Sequence, residues 1–302
     1  GNTVGIGINK NIYSEMYNLS FMNPYATKDG VSLGYNVYFR ETDYGEFNVA
    51  NYLTNSNGFG AQFGYPTSDI TRLGFNVTYD KTDIDVGTLP ALEIYDFVSA
   101  EGNIFETLSV QFSWQRVTLN RGLFPTAGSS TVISLSTTVP GSDLSYYRSS
   151  IRQRYFRPLS SNFVFGFSGE LGYLDAYGET EETPFFQNFY AGGPRSLRGF
   201  ESNTLGPRST DAPCYEFNYE EKTCPNLIDT DGDGELDSPY INPYANSTSR
   251  YRDRPIGGNI KVEGSMQLIF KLPFIEDQRS LRSAFFFDFG NVFSDNCKDY
   301  QI

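Results

Sequence analysis

The segment NFVFGFSGELGY, residues 162–173, alternates bulky apolar side chains with small or polar ones. One set consists of Phe163, Phe165, Phe167, Leu171 and Tyr173. The other set consists of Val164, Gly166, Ser168, Glu170 and Gly172. Because successive side chains of a β-strand point to opposite faces, the segment predicts a strand with one aromatic face and one small, mostly polar face.

The same alternation recurs along the whole chain, in about eleven segments. These are roughly residues 3–10, 12–24, 31–44, 54–66, 69–84, 103–119, 129–140, 145–158, 161–175, 257–274 and 281–294. Many of them reach ten residues or more. Strands of soluble domains average about 5–6 residues, whereas a tilted membrane-spanning strand needs about 9–11. The lengths therefore favour strands that cross a membrane.

The connections between these segments differ in length. Tight turns predicted at 65–68 and 157–161 alternate with longer polar loops, as in outer-membrane barrels. The loop 85–102 contains ALEIYDFVSAE, which predicts a short helix. The longest connection, about residues 176–256, has no regular pattern, and structureless loops of that length are usually functional.

The charged residues decide which face meets lipid. The face opposite the aromatic side chains carries Arg148, Arg152 and Arg154 on one segment and Lys261 and Glu263 on another. Charges of both signs among glycine and serine suit a hydrated lumen, and the aromatic face suits lipid. The alternative is a soluble antiparallel sandwich or barrel, which would hold its aromatic face inside.

Composition excludes several function classes. The 302 residues include no histidine, so a Ser-His-Asp or Cys-His catalytic site cannot form within the chain. The net charge of −13 argues against a nucleic-acid partner, because binding phosphate needs a basic face.

Two motifs carry a family resemblance. The stretch FYAGGPRSLRGFESNTLGP (189–207) contains the tip Leu197, Arg198, Gly199 and Phe200. The stretch FFFDFGNVF (285–293) places Phe286, Asp288 and Gly290 in a Phe-x-Asp-x-Gly pattern. With LNRGLFPTAGSS (119–130) and VPGSDLSYY (139–147), they resemble, in order, segments of the BamA family, whose barrels assemble other outer-membrane proteins.

The resemblance implies an all-β fold, an antiparallel transmembrane β-barrel of the sixteen-strand type. Residues 1–302 would form a partial barrel domain of about eleven strands, without the first two strands, the last three and the periplasmic domains. Residues 176–256 would form a loop inserted into the lumen. Such a fragment is expected not to close, because its terminal strands would leave unpaired backbone groups in lipid.

The resemblance also implies a function in the outer membrane of Gram-negative bacteria. The protein would insert and fold β-barrel proteins as the central barrel of the assembly machinery, without catalysing a chemical reaction. Its partners would be unfolded outer-membrane clients, accessory lipoproteins bound through the absent periplasmic domains, and lipid with lipopolysaccharide. The alternatives are a secretion or translocation pore of the same superfamily and a passive outer-membrane channel.

Within these motifs, Arg198 is the strongest candidate for a residue that fixes the loop to the barrel. Alternation with the neighbouring phenylalanines places Asp288 on the lumen face, and a guanidinium offers a rigid fork of donors to a carboxylate. We expect an Arg198–Asp288 ion pair to hold the loop in the lumen, with Phe200 packed against lumen side chains such as Phe286. Many relatives have an acidic residue where this chain has Gln267, so a second acidic partner is not expected. The alternative is a solvent-exposed loop arginine.

Cys214 and Cys224 enclose a short polar loop and predict a disulfide, which implies an oxidising compartment. They also resemble the cysteine pair of the family's loop. Closing this loop would stabilise the fold by about 2–3 kcal/mol in the chain-entropy model. The alternative is two free thiols, and Cys297 has no obvious partner.

The stretch DTDGDGELD, residues 229–237, resembles a calcium-binding loop. The candidate ligands are Asp229, Asp231, Asp233, Glu235 and Asp237, with Gly234 at the position of the sharp turn. Tyr240 stands where a bidentate glutamate is usual, so the match is partial. No other cofactor is predicted, and the alternative is a solvated acidic loop.

We expect this loop to bind calcium at about millimolar concentration, as extracellular calcium modules do. Titration calorimetry on the loop will give heat of binding, and Asp231→Ala will remove it because that carboxylate is one of few ligands. Absence of heat at millimolar calcium, or an unchanged Asp231→Ala titration, would contradict the prediction.

Overall fold

The computed structural model describes residues 1–44, 52–86, 91–210, 254–272, 275 and 281–295. It contains the strands β1 (Thr3–Lys10), β2 (Ser14–Asn23), β3 (Ser32–Asp43), β4 (Leu53–Ser68), β5 (Thr71–Asp85), β6 (Ile104–Val117), β7 (Gly128–Thr138), β8 (Tyr146–Pro158), β9 (Phe163–Ala176), β10 (Ile260–Phe270) and β11 (Ser283–Phe293). Helix α1 (Leu92–Glu101) lies between β5 and β6, and a 3-10 turn spans Phe185–Gln187. No helix in these ranges is long and apolar enough to cross a membrane.

The strands form one antiparallel sheet of 11 strands in sequence order, which confirms the predicted fold class and segment count. Each strand therefore pairs with its chain neighbours. In the described residues β1 and β11 are the two edges, and the sheet does not close on itself.

One turn prediction is wrong. Residues 65–68 belong to β4, and the turn lies at residues 69–70. The register between β4 and β5 shifts between Pro66 and Ser68. Proline has no N–H to donate to the ladder, so the strand continues past it only with this irregularity.

The two faces of the sheet differ as the alternation predicted. Apolar side chains on one face are exposed, with Val37 at 52% and Phe59 at 49%. The other face of the same strands carries hydroxyl and charged side chains that line a cavity, among them Arg40 and Thr54. The alternative of a soluble barrel with an apolar interior is thus wrong. We call the cavity side the inner face.

The hydrophobic core lies at one end of the sheet, where the loops β5–β6, β7–β8 and β9–β10 meet. Helix α1, predicted from the sequence, buries Leu92, Ile94 and Phe97 there. The segment 185–205, which we call the cap segment, packs into the same cluster: the Phe185 ring lies 4.8 Å from that of Tyr52. The ends of the strands and the long loop are thereby joined into one apolar cluster.

Candidate functional site: the loop tip on β10 and β11

A tight turn presents the motif 197–200 to the sheet. The N–H of Gly193 donates to the carbonyl of Phe200 at 3.1 Å, which closes the base of the tip. Gly193 has φ of 99°, and an added Cβ would lie 2.6 Å from Ser202 Oγ. Gly199 has φ of 96° in open space. Both positions need glycine, the first for space and conformation, the second for conformation alone.

The expected Arg198–Asp288 ion pair is present. Arg198 Nε donates to Asp288 Oδ2 at 2.7 Å, and its Nη2 donates to Oδ1 at 2.6 Å. The backbone N–H of Arg198 also donates to Oδ2, at 3.0 Å. This bidentate fork with a third backbone donor fixes the position and the orientation of the tip.

Two further side chains complete the site. Ser265 Oγ on β10 accepts a hydrogen bond from Arg198 Nη2 at 2.8 Å. Ser265 pairs directly with Asp288 in the β10–β11 register, so the guanidinium spans both strands. The carbon of the guanidinium lies 3.5 Å from the centroid of the Phe286 ring, in cation–π geometry. Arg198 therefore binds a carboxylate, a hydroxyl and an aromatic face together.

The site keeps its charges under ordinary conditions. The hydrogen bonds that Arg198 donates to Asp288 raise the pKa of Arg198 above its ordinary value. The Arg198 side chain is 30% exposed, and that of Asp288 is 5% exposed. A carboxylate this buried depends on its partner for compensation. Both groups are therefore charged, and the ion pair anchors the tip.

The expectation for Phe200 is wrong. Its side chain is 53% exposed, so it does not fix the tip by burial. Leu197, on the other side of Arg198, is 3% exposed and belongs to the hydrophobic cluster. Because the chain reverses direction in the tight turn at Gly199, side chains before and after the turn point in different directions, and only Leu197 enters the cluster. The ring of Phe286, proposed as a contact of Phe200, instead carries the guanidinium.

A second carboxylate reaches the loop by a route that the sequence did not indicate. Glu263 Oε2 accepts a hydrogen bond from the hydroxyl of Ser196, at 2.5 Å, and the same hydroxyl accepts from the N–H of Gly192 at 3.1 Å. Gln267 does not bind Arg198 in the described structure; its amide oxygen is 3.5 Å from Arg282 Nη2. The loop is therefore attached to β10 at two neighbouring inner positions, Glu263 and Ser265.

The glycine of the Phe-x-Asp-x-Gly motif has a steric role. Gly290 has φ of 141°, and an added Cβ would lie 2.2 Å from the carbonyl oxygen of Val262 and 2.6 Å from Glu263 Cα. Real Cβ atoms do not approach backbone this closely. Gly290 thus lets β11 lie close to β10 beside the positions that hold Arg198.

The predicted disulfide and calcium loop are not part of this geometry. Cys214, Cys224 and Cys297 lie outside the described residues, and so does the stretch 229–237. Both predictions stay predictions.

Similarity to known proteins extends over the whole sheet. The profile of the Omp85 superfamily domain matches residues 1–301. Outer membrane protein assembly factor BamA of Neisseria meningitidis is 31% identical over 291 residues, 93% of this chain and 32% of that protein. A SAM50-like protein of Drosophila melanogaster is 25% identical over 175 residues, 58% of this chain and 39% of that protein.

A solved structure agrees with the fold. BamA from Haemophilus ducreyi lacking POTRA domains 1-3 superimposes with a TM-score of 0.79 at 29% identity, over 97% of this chain and 52% of that chain. The chain thus spans about a third to about half of the length of these relatives.

Proposed function

Because the chain belongs to the Omp85 superfamily and is an outer-membrane β-barrel protein of the BamA type, we propose that the full-length protein inserts and folds β-barrel proteins in the bacterial outer membrane. Its clients are unfolded outer-membrane proteins, and its partners are accessory lipoproteins, lipid and lipopolysaccharide. It acts without catalysing a chemical reaction.

The anchored loop is the observation that carries this proposal. The cap segment is buried at Phe185, Phe189 and Leu197, each below 5% exposure, and the ion pair of Arg198 fixes it to β10 and β11. A loop held this firmly across the inner face narrows the route through the lumen. A barrel with a narrowed lumen is suited to insert client strands through its side, where its own strands meet lipid, and not to pass them through the lumen.

The physical task at the wall is the protection of strand edges. Each unpaired backbone N–H or C=O in hydrocarbon costs several kcal/mol, so an isolated strand does not enter a bilayer. A barrel that offers its own edge as a template pairs these groups while the client hairpin enters. The loop, fixed to β10 and β11, holds these strands in place while the client hairpin pairs with the barrel edge.

Reconstitution of the full-length protein tests the proposal. We expect liposomes that contain it to fold a urea-unfolded outer-membrane protein faster than empty liposomes, measured by the heat-modifiable gel shift of the client. A soluble exported protein added outside should stay protease-sensitive. Import of that soluble protein without faster client folding would contradict the proposal and favour the secretion-pore alternative. Ion conductance with neither activity would favour the passive channel.

A further inference from the structure

A polar cavity of about 710 Å³ lies under the cap segment on the inner face of β3 to β9. Hydroxyl groups line much of it, including those of Thr42, Thr54, Ser56, Thr78, Ser134 and Ser136. Its volume falls within the usual range of small-molecule sites, about 300–1,000 Å³, but its lining is more polar than most. The cavity is separate from the Arg198 anchor, whose residues do not line it.

Two arginines in this cavity lie beyond ion-pair distance of every carboxylate in the described residues. Arg40 on β3 and Arg148 on β8 both line it, and neither belongs to any ion pair found there. The guanidinium of Arg148 lies 4.2 Å from the centroid of the Phe189 ring in the cap segment. That of Arg40 lies 5.4 Å from the Tyr38 ring. Each is held against an aromatic face, which leaves its N–H donors for another acceptor.

The carboxylates that line the cavity form their hydrogen bonds with groups other than Arg40 and Arg148. Asp80 accepts hydrogen bonds from the Tyr38 hydroxyl at 2.5 Å and from the Thr82 hydroxyl at 2.8 Å. Glu170 accepts from Arg152 at 2.9 Å and from Lys261 at 3.2 Å. The charge of Glu170 also attracts Arg148, but in the described structure that carboxylate is hydrogen-bonded to other cations and not to Arg148. Positive charge therefore exceeds negative charge around Arg148, although the chain as a whole carries −13.

Arg40 and Arg148 act on the same part of the cavity. Tyr44 lies just beyond the end of β3, four residues after Arg40, and lines the cavity. Its ring stacks on that of Tyr52 at 4.3 Å, and the Tyr52 hydroxyl lies 3.4 Å from that of Tyr190, the neighbour of the Phe189 that contacts Arg148. Burial raises the pKa of its phenol, and the positive charges of Arg40 and Arg148 both oppose that rise. Two guanidinium groups from different strands therefore share one electrostatic environment.

We infer that this cavity binds an oxyanion, a phosphate or carboxylate group, between Arg40 and Arg148. Guanidinium groups match such anions with paired N–H donors, and charge-assisted bonds are the stronger hydrogen bonds of proteins. The surrounding hydroxyls can both donate and accept, so they suit a sugar that carries the anionic group. The source of the anion is then either a phosphorylated sugar or free phosphate.

Titration calorimetry with the full-length protein in detergent, at constant ionic strength, tests this site. The probes are glucose 6-phosphate, glucose and inorganic phosphate. We expect glucose 6-phosphate to bind about tenfold or more tightly than glucose, because glucose lacks the charged acceptor. Weaker binding of inorganic phosphate will assign the site to a phosphorylated sugar, and equal binding will assign it to a free oxyanion.

Variants locate the binding. Arg40→Gln and Arg148→Gln should each weaken binding of glucose 6-phosphate about tenfold. Arg116→Gln is the matched control, because Arg116 on β6 is exposed and does not line the cavity. Arg40 is itself exposed, so its replacement leaves the fold intact even if loss of the Arg148–Phe189 contact disturbs the cap segment. No binding of either phosphate compound, or a titration of Arg40→Gln equal to that of the wild type, would overturn the inference.

Discussion

In the full-length protein, Arg198→Ala will release the loop from the sheet and strongly impair assembly of client barrels, while the barrel itself still folds. The substitution removes two side-chain hydrogen bonds to Asp288 and one to Ser265, and leaves a carboxylate that is 5% exposed without its cation. Removing one partner of a buried ion pair costs about 3–5 kcal/mol, and the water of the lumen lowers that figure. Cleavage by chymotrypsin next to Phe200 measures the release, and the client-folding rate measures the function.

The unequal burial of the two partners sharpens this prediction. Asp288→Ala should be milder than Arg198→Ala, because the arginine it leaves unpaired is 30% exposed and can reach water. Arg198→Lys should fall between wild type and Arg198→Ala, since lysine keeps the charge but lacks the fork. Arg195→Ala, at an exposed position of the same loop, is the control. Equal chymotrypsin cleavage of wild type and Arg198→Ala would show that the ion pair does not hold the loop.

Gly290→Ala will separate β11 from β10 and lower the stability of the whole barrel. The added methyl group would meet the Val262 carbonyl at 2.2 Å, and alanine is strained at a φ of 141°. Backbone strain of this kind costs about 1–3 kcal/mol, and overpacking adds about 1–3 kcal/mol. We expect a clearly lower temperature for loss of the compact, fast-migrating form in gel electrophoresis.

Gly122→Ala is the matched control for this change. Gly122 lies in the β6–β7 loop, and an added Cβ there would have nothing within 4 Å. It should leave the transition temperature unchanged. A Gly290→Ala protein as heat-stable as the Gly122→Ala protein would mean that β10 and β11 adjust to the methyl group without loss.

Much of the sheet was predictable because alternation is a local property. The parity of residues in 162–173 or 281–294 is enough to separate lipid-facing from inner side chains, and strand length separates membrane from soluble sheets. The inward direction of Asp288 followed from the same parity. Helix α1 was predictable because the stretch ALEIYDFVSAE, which contains it, is itself a local feature of the sequence.

Contacts between the 177–259 connection and the sheet were harder to predict from the sequence. The ion pair between Arg198 and Asp288 was expected from a motif resemblance, but Ser265 was missed because its place beside Asp288 depends on the β10–β11 register. The link from Ser196 to Glu263 depends on how the tip turns. For the same reason, the sequence assigned the anchoring role to Phe200 and not to Leu197.

By itself, the sequence determined the antiparallel strands, the aromatic lipid face and the polar inner face, because each follows from a period of two residues. Only the tertiary structure decided which side chains meet: Leu197 in the cluster, Ser265 under the guanidinium, and Arg40 and Arg148 in one cavity. Those contacts join residues far apart in the chain, so they depend on strand register and on the path of the cap segment. Neither quantity is encoded in any short stretch of sequence.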